Sequence, residues 1–188
     1  MAKYYAGIGS RETPGHILNI MSMAARYLAQ NGWTLRSGAA LGADKAFESG
    51  CDAINGAKEI YLPWRGYNHN TSPLHPRDYP FTQQEIDFSA KFHPAWNKCS
   101  PSARAMHQRN TRILLGMEPI HGIQVTPVKF VLCWTEGGEI KGGTGQALRI
   151  ANAMADGGGG DLVVINLGSA KTSAQLESMV QSLEVYKQ

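Results

Sequence analysis

Three glycine-bearing turns hold the residues of this sequence best suited to chemistry. They are Gly7-Ile8-Gly9-Ser10-Arg11, Ser37-Gly38-Ala39-Ala40-Leu41-Gly42-Ala43-Asp44 and Lys141-Gly142-Gly143-Thr144-Gly145-Gln146. Each follows a strand-like run and opens into a helical pattern. A turn of that kind presents bare N–H groups at a helix N-terminus, where unpaired donors and the helix dipole both favour a phosphate. Ser10, Arg11, Ser37 and Thr144 add hydroxyls and a cation, and Arg11 and Arg36 together suit phosphate and ribose oxygens. Gly9, Gly38, Gly42, Gly142, Gly143 and Gly145 let a ligand approach the backbone. Asp44, Thr135 and Glu136 stand at the same ends of the strand-like runs, so the turns together outline a nucleotide-sized crevice. Gly7-x-Gly9 lacks the third glycine of G-x-G-x-x-G, and no G-x-x-x-x-G-K-[ST] occurs, which disfavours a kinase-type phosphate loop.

The elements that must position these groups follow from apolar periodicity. Tyr4–Ile8 reads as a first strand. Thr13-Pro14 signals a helix start with Thr13 as N-cap, and Ile17, Leu18, Ile20, Met21, Ala24, Ala25 and Leu28 form its core stripe, closed by Asn31-Gly32. Trp33–Arg36 is a second strand, followed by a helix with Ala43, Ala46, Phe47, Gly50, Cys51 and Ile54 on one face. Lys58–Leu62 is a third strand. A strand-helix-strand-helix-strand order with short connections predicts a parallel sheet. Helices are expected from Phe81-Thr82 to about Phe92 and from Ser100-Pro101 to Gly116, the second carrying Arg109 and Asn110. Pro127–Trp134 and Asp161–Leu167 read as buried strands, with a helix between them ending at Asp156 and Gly157–Gly160. Ser173–Lys187 reads as a terminal helix.

Residues 65–100 lose periodicity. Trp64, Arg65, Tyr67, His69, His75, Arg77, Tyr79, His93 and Trp96 mix aromatic and basic groups there, a set able to stack a base and hold phosphates as a lid over the crevice. The histidines show no H-x-x-x-H or cysteine partner spacing, so no metal site is expected.

The chain has 188 residues, enough for one substantial core, and one domain over 1–188 is expected. Its net charge of +3, from 18 Lys+Arg against 15 Asp+Glu, is too mild to argue for nucleic acid by itself. Cys51, Cys99 and Cys133 are scattered and read as reduced thiols. No apolar run approaches a membrane span and no leader pattern is visible, so a cytoplasmic protein without membrane association is expected.

The segments GIGSRETP, RSGAALGADKAFESG, MHQRNTRILLG and GGTGQALRIA stand in the order used by the DprA/Smf and LOG proteins of the SLOG superfamily. The first resembles the GSR motif after strand one, and the second the SGxAxGxD motif after strand two, which brings in Ser37, Gly38, Gly42 and Asp44. Arg109-Asn110-x-Arg112-Ile113 is similar to the RNRII helix of DprA, and Met106–Arg109 to the MHERK of LOG enzymes. Gly142–Gly145 matches the last glycine motif of both. The resemblance covers about residues 4–168 and points to small stand-alone, phage-encoded DprA-like proteins. It implies a Rossmann-like α/β domain, a mostly parallel sheet flanked by helices, with 65–100 inserted, and a homodimer.

The resemblance implies three functions: a nucleotide or nucleotide-derivative binder, a nucleotide N-glycosidase of LOG type, or a DprA-like binder of single-stranded DNA. In LOG enzymes an arginine and a glutamate cleave the bond. Arg109 matches the arginine, but the glutamate position carries Ala147, Leu148 or Arg149, leaving Glu136, Glu139 or Asp44 as substitutes. The catalytic candidates are therefore Arg109, Glu136 and Asp44. The DprA winged helix has no counterpart in these residues, so DNA binding carries over weakly. No cofactor is expected.

Overall fold

The computed structural model describes residues 3–117, 126–157 and 162–186. Five parallel strands form its one sheet: β1 (Lys3–Gly9), β2 (Trp33–Ser37), β3 (Lys58–Ile60), β4 (Phe130–Trp134) and β5 (Val163–Asn166), in the spatial order β3-β2-β1-β4-β5. Helices α1 (Gly15–Gln30), α2 (Ala43–Asp52) and α6 (Ser173–Gln181) cover one face. Helices α4 (Pro101–Leu115) and α5 (Gly142–Asp156) cover the other, and α3 (Gln83–Lys91) packs on α4. The strand period of two sorts the core. Tyr5, Leu35, Phe130 and Leu132 face the first layer, while Ala6, Ile8, Val131 and Cys133 face the second. This is the doubly wound Rossmann-like arrangement that the strand-helix alternation predicts.

Local chemistry explains most boundaries. Thr82 and Glu85 form a reciprocal capping box at the start of α3, and Ser100 caps α4 ahead of Pro101. Gly116 (φ 81°) ends α4 in the left-handed region. At α1 the expected cap does not form. Thr13 turns its hydroxyl to the Ser10 carbonyl at 2.7 Å, leaving Pro14 at the cap position without a side-chain acceptor. Thr13 braces the β1–α1 turn instead.

Three expectations shift. The third strand stops at Ile60: Tyr61 N–H still bonds Ser37 at the end of β2, but Leu62 N–H turns away to Leu74. The last strand is a half-exposed sheet edge, with Val163 44% exposed, rather than a buried strand. The terminal helix turns to 3₁₀ geometry over Ser182–Tyr186, which lets Tyr186 stack on Phe130 at 4.0 Å between ring centres. Asp161, Lys187 and most of the 157–160 glycine run lie outside the described residues.

The 65–100 insertion is built into the domain. Its first part doubles back along β3 through Ser72, which donates to the Ile60 carbonyl, and through Asn70, which holds Glu48 of α2 at 3.0 Å. Its second part is tied down by Arg112 of α4, 3% exposed, which donates to the Tyr79 and Pro80 carbonyls and to both Glu85 oxygens at 2.6 and 2.9 Å. Ser89 and Thr111 hydroxyls close the α3–α4 contact at 2.7 Å.

Burial alone would raise the Glu85 carboxyl, but the Arg112 and Thr82 hydrogen bonds outweigh it and hold its pKa below the ordinary range. A lowered carboxylate pKa stabilises the fold above the unfolded value of about 4.3, and that contribution is lost as pH falls through the lower folded value. Glu85→Gln is expected to cost about 1.5–3 kcal/mol at pH 7. In urea unfolding followed across pH, the gap between wild type and variant should close only in acid below the usual carboxylate range. A gap independent of pH would contradict the pairing.

Candidate functional site

Strand order reverses between β1 and β4, and loops leaving their carboxyl ends part to opposite faces of the sheet. In open parallel sheets that is where ligands bind. A crevice of about 920 Å³ opens here. Its wall includes Gly9, Ser10, Arg11, Asp44, Arg109, Asn110, Thr135, Glu136, Gly142, Gly143 and Thr144, together with Tyr67, Met106, Trp134 and Lys141.

The first turn is shaped by packing as much as by exposure. A Cβ on Gly7 would meet the Phe47 ring at 2.6 Å, and one on Gly9 would meet the Ala43 methyl at 2.6 Å. Both glycines thus let α2 lie tight against β1. Ser10 N–H extends the ladder to the Trp134 carbonyl at 3.1 Å, and its hydroxyl accepts from Glu12 N–H. Arg11 is exposed and donates to the Tyr67 hydroxyl at 3.2 Å, so the insertion supplies one wall.

Four of the predicted site residues do not line the crevice. Ser37 is fully buried and donates to the Gly7 carbonyl at 2.6 Å, tying β2 to β1. Gly38 lies beneath Arg109, where a Cβ would overlap the guanidinium Nη1. Gly42 (φ 80°) packs against the backbone of Ser10 and Arg11. Gly145 packs under Ile140 and donates to the Lys141 carbonyl. These residues place the wall without forming it. Arg36 is also turned away: it donates to Glu59 at 2.7 Å and to the Thr126 carbonyl, and stacks on Tyr4.

The charged centre is a buried pair. Arg109 Nη1 lies 3.3 Å from Asp44 Oδ2, the two residues being 6% and 3% exposed. Asp44 also accepts from Ala40 N–H at 3.3 Å. Burial raises the Asp44 pKa, and Arg109 opposes that rise without cancelling it. Arg109 Nε is buried with no partner. Ala39, one residue from Ala40, is held in the left-handed region at φ 58°, a conformation costly for a residue with a Cβ. Strain and an unfilled donor thus converge at one corner of the crevice.

The opposite wall is the start of α5, whose first turn is Gly142-Gly143-Thr144 with no side-chain cap. Space beside Gly142 and Gly143 is open for at least 4 Å where a Cβ would stand. Asn110 anchors this wall by donating to the Gly143 carbonyl and to Gln146 Oε1, both at 3.1 Å. Thr135 is fixed by Asn166 of β5, which accepts from its N–H at 3.1 Å and donates to its hydroxyl at 2.7 Å. Glu136 stands on the rim with a 77% exposed side chain paired to Lys141 at 3.2 Å. Of the three carboxylates weighed for catalysis, only Asp44 is buried beside Arg109. Glu139 also pairs with Lys141, at 3.0 Å.

Tyr67 and Asn166 escape sequence reasoning because their roles depend on non-local packing. Tyr67 had a signal as one aromatic among many in the insertion; Asn166 ends a strand-like run and had none.

The chain has a DprA-like fold. Its structure is similar to the X-ray structure of DNA processing protein A (DprA) from Streptococcus pneumoniae, with a TM-score of 0.53 and 16% sequence identity. The similarity covers 97% of this chain but 56% of that protein, so the chain spans little more than half its length. At that identity the likeness is one of fold alone. No protein-family model matches the sequence, and the curated proteins contain no match.

The placement of Gly38 makes a direct test. Gly38→Ala should cost about 1–3 kcal/mol in urea unfolding, because the new methyl drives the guanidinium off Asp44. In an Arg109→Ala background the same change should cost less than about 0.5 kcal/mol, giving a strong coupling in the double-mutant cycle. Equal costs in both backgrounds would refute the contact.

Proposed function

We propose that this chain binds a nucleotide or a nucleotide-derived small molecule in the crevice between the carboxyl ends of β1 and β4. One observation carries the reading: an uncapped glycine-rich helix start faces a buried arginine with an unfilled donor across a cavity of nucleotide size. In this reading the amides of Gly142, Gly143 and Thr144, with the Ser10 and Thr144 hydroxyls and Arg11, take the phosphate. Arg109 donates to the sugar or phosphate, and Tyr67, Met106 and Trp134 offer apolar surface to the base. The order of the four motifs supports assigning the chain to the DprA/LOG branch of SLOG proteins.

A second reading rests on Asp44. N-glycosidic cleavage needs a carboxyl able to exchange a proton near neutral pH and a group that stabilises charge on the ribose. A buried Asp44 with a raised pKa beside Arg109 supports that role better than Glu136, which is exposed and paired. Single-stranded DNA is a third occupant, supported by the fold neighbour, a DNA processing protein.

Nucleoside monophosphates at 100 times their Kd should stabilise the protein by about 2.7 kcal/mol, read as a rise in Tm, whereas free bases should not. Thr144→Val and Ser10→Ala should weaken the effect without lowering the unliganded Tm by more than a few degrees. If no nucleotide raises Tm, the binding reading fails. Chromatography of the same mixtures separates the second reading, which requires free base to accumulate and Asp44→Asn to stop it. A salt-sensitive oligonucleotide shift without mononucleotide binding would favour DNA.

A further inference from the structure

A second cluster of reactive side chains lies outside the crevice wall, where the insertion joins α4. His93 follows α3, Cys99 precedes the Ser100 cap, and His107 sits in the second turn of α4. The residues are six and eight positions apart, a spacing without any metal signature, yet one ligand atom from each lies within 4.8 Å of the others. Cys99 Sγ is 3.6 Å from both ring nitrogens of His93, and the two imidazole centres are 4.4 Å apart.

The spacing is compatible with a shared metal ion. A tetrahedral zinc with Zn–S of about 2.3 Å and Zn–N of about 2.0–2.1 Å has a sulfur-to-nitrogen edge of about 3.6 Å. Cys99 Sγ donates to the Ala95 carbonyl at 3.6 Å, and Ala95 N–H donates to His93 Nδ1 at 3.2 Å, which leaves Nε2 of His93 for a cation. They leave one group unsatisfied. His107 is 8% exposed, and among the described residues its buried Nδ1 has no partner, a state that native structures rarely keep without a reason. Trp96 closes one side, 6.2 Å from His93 and 6.4 Å from His107 between ring centres. His93 and Cys99 are half-buried, which leaves room for a water.

We propose that His93, Cys99 and His107 form a three-ligand site for a borderline-soft divalent cation, zinc in the first place, with water in the fourth position. The imidazole–thiolate set excludes magnesium and calcium, which take oxygen ligands. The cation would clamp the 92–100 connection onto α4, two residues from Arg109. It is independent of what the crevice binds.

The test uses the untagged full chain, stripped with a chelator, dialysed, and titrated with Zn²⁺ or Co²⁺. Zinc should bind at one equivalent per chain and raise Tm. Cobalt should give a thiolate-to-metal charge-transfer band with the intense d–d absorption of a tetrahedral ion. Cys99→Ser should abolish the charge-transfer band, and His93→Gln should weaken binding at least about 10-fold. Both substitutions fall at half-exposed positions, and circular dichroism checks that the variants fold. Absence of the thiolate band in folded wild type would overturn the site. So would zinc binding equal in wild type and both variants.

Discussion

Pairing of β1 with β4, through Tyr5–Gly9 against Phe130–Trp134, is the constraint on which the rest of the molecule depends. β2 and β3 extend the sheet from one side of β1. The chain must then travel through the insertion and α4 before it can add β4 on the other side. Connections on the two sides leave toward opposite faces, and the gap between them is the crevice. Gly7 and Gly9 serve that geometry directly. Without side chains, they allow Phe47 and Ala43 of α2 to close on β1 and bring Asp44 to the strand end.

Helix α4 converts that geometry into a site. It buries His107, Arg109, Asn110, Thr111 and Arg112 almost in succession. Consecutive helical residues point about 100° apart, so such a run cannot bury one face only. Each side chain therefore meets a different partner. Arg109 reaches Asp44 on α2, and Asn110 holds the first turn of α5. Thr111 and Arg112 grip α3 and the insertion, while His107 turns to His93 and Cys99. A helix clamped on every side is a rigid mount for a guanidinium. Burying charge on this scale gives little net stability, since replacing a buried ion pair with apolar groups is often neutral or favourable. Its retention next to a cavity fits a functional demand better than a structural one.

The sheet and its helices were legible because their signals are local. Apolar repeats of two and of three to four, Asn-Gly stops after α1 and α2, and the Thr82–Glu85 and Ser100-Pro101 starts are all read within a few residues. Where local signals compete, the sequence misleads. Thr13 has a capping residue's chemistry, yet its hydroxyl finds the Ser10 carbonyl first. The last strand has a buried strand's composition, but its place at the sheet edge exposes Val163.

By itself the sequence determined the alternation of elements and the three glycine turns, because backbone freedom and hydrophobic periodicity act over short spans. Only the tertiary structure decided which turn residues face the ligand space. Ser37, Gly38, Gly42 and Gly145 share their motifs with Ser10, Gly142 and Thr144, but lie beneath the wall because neighbouring elements occupy their outer side. It also decided the pairing of Asp44 with Arg109, 65 residues away, and the meeting of His93, Cys99 and His107. Such contacts arise from how helices cross, and helix crossing depends on the whole core.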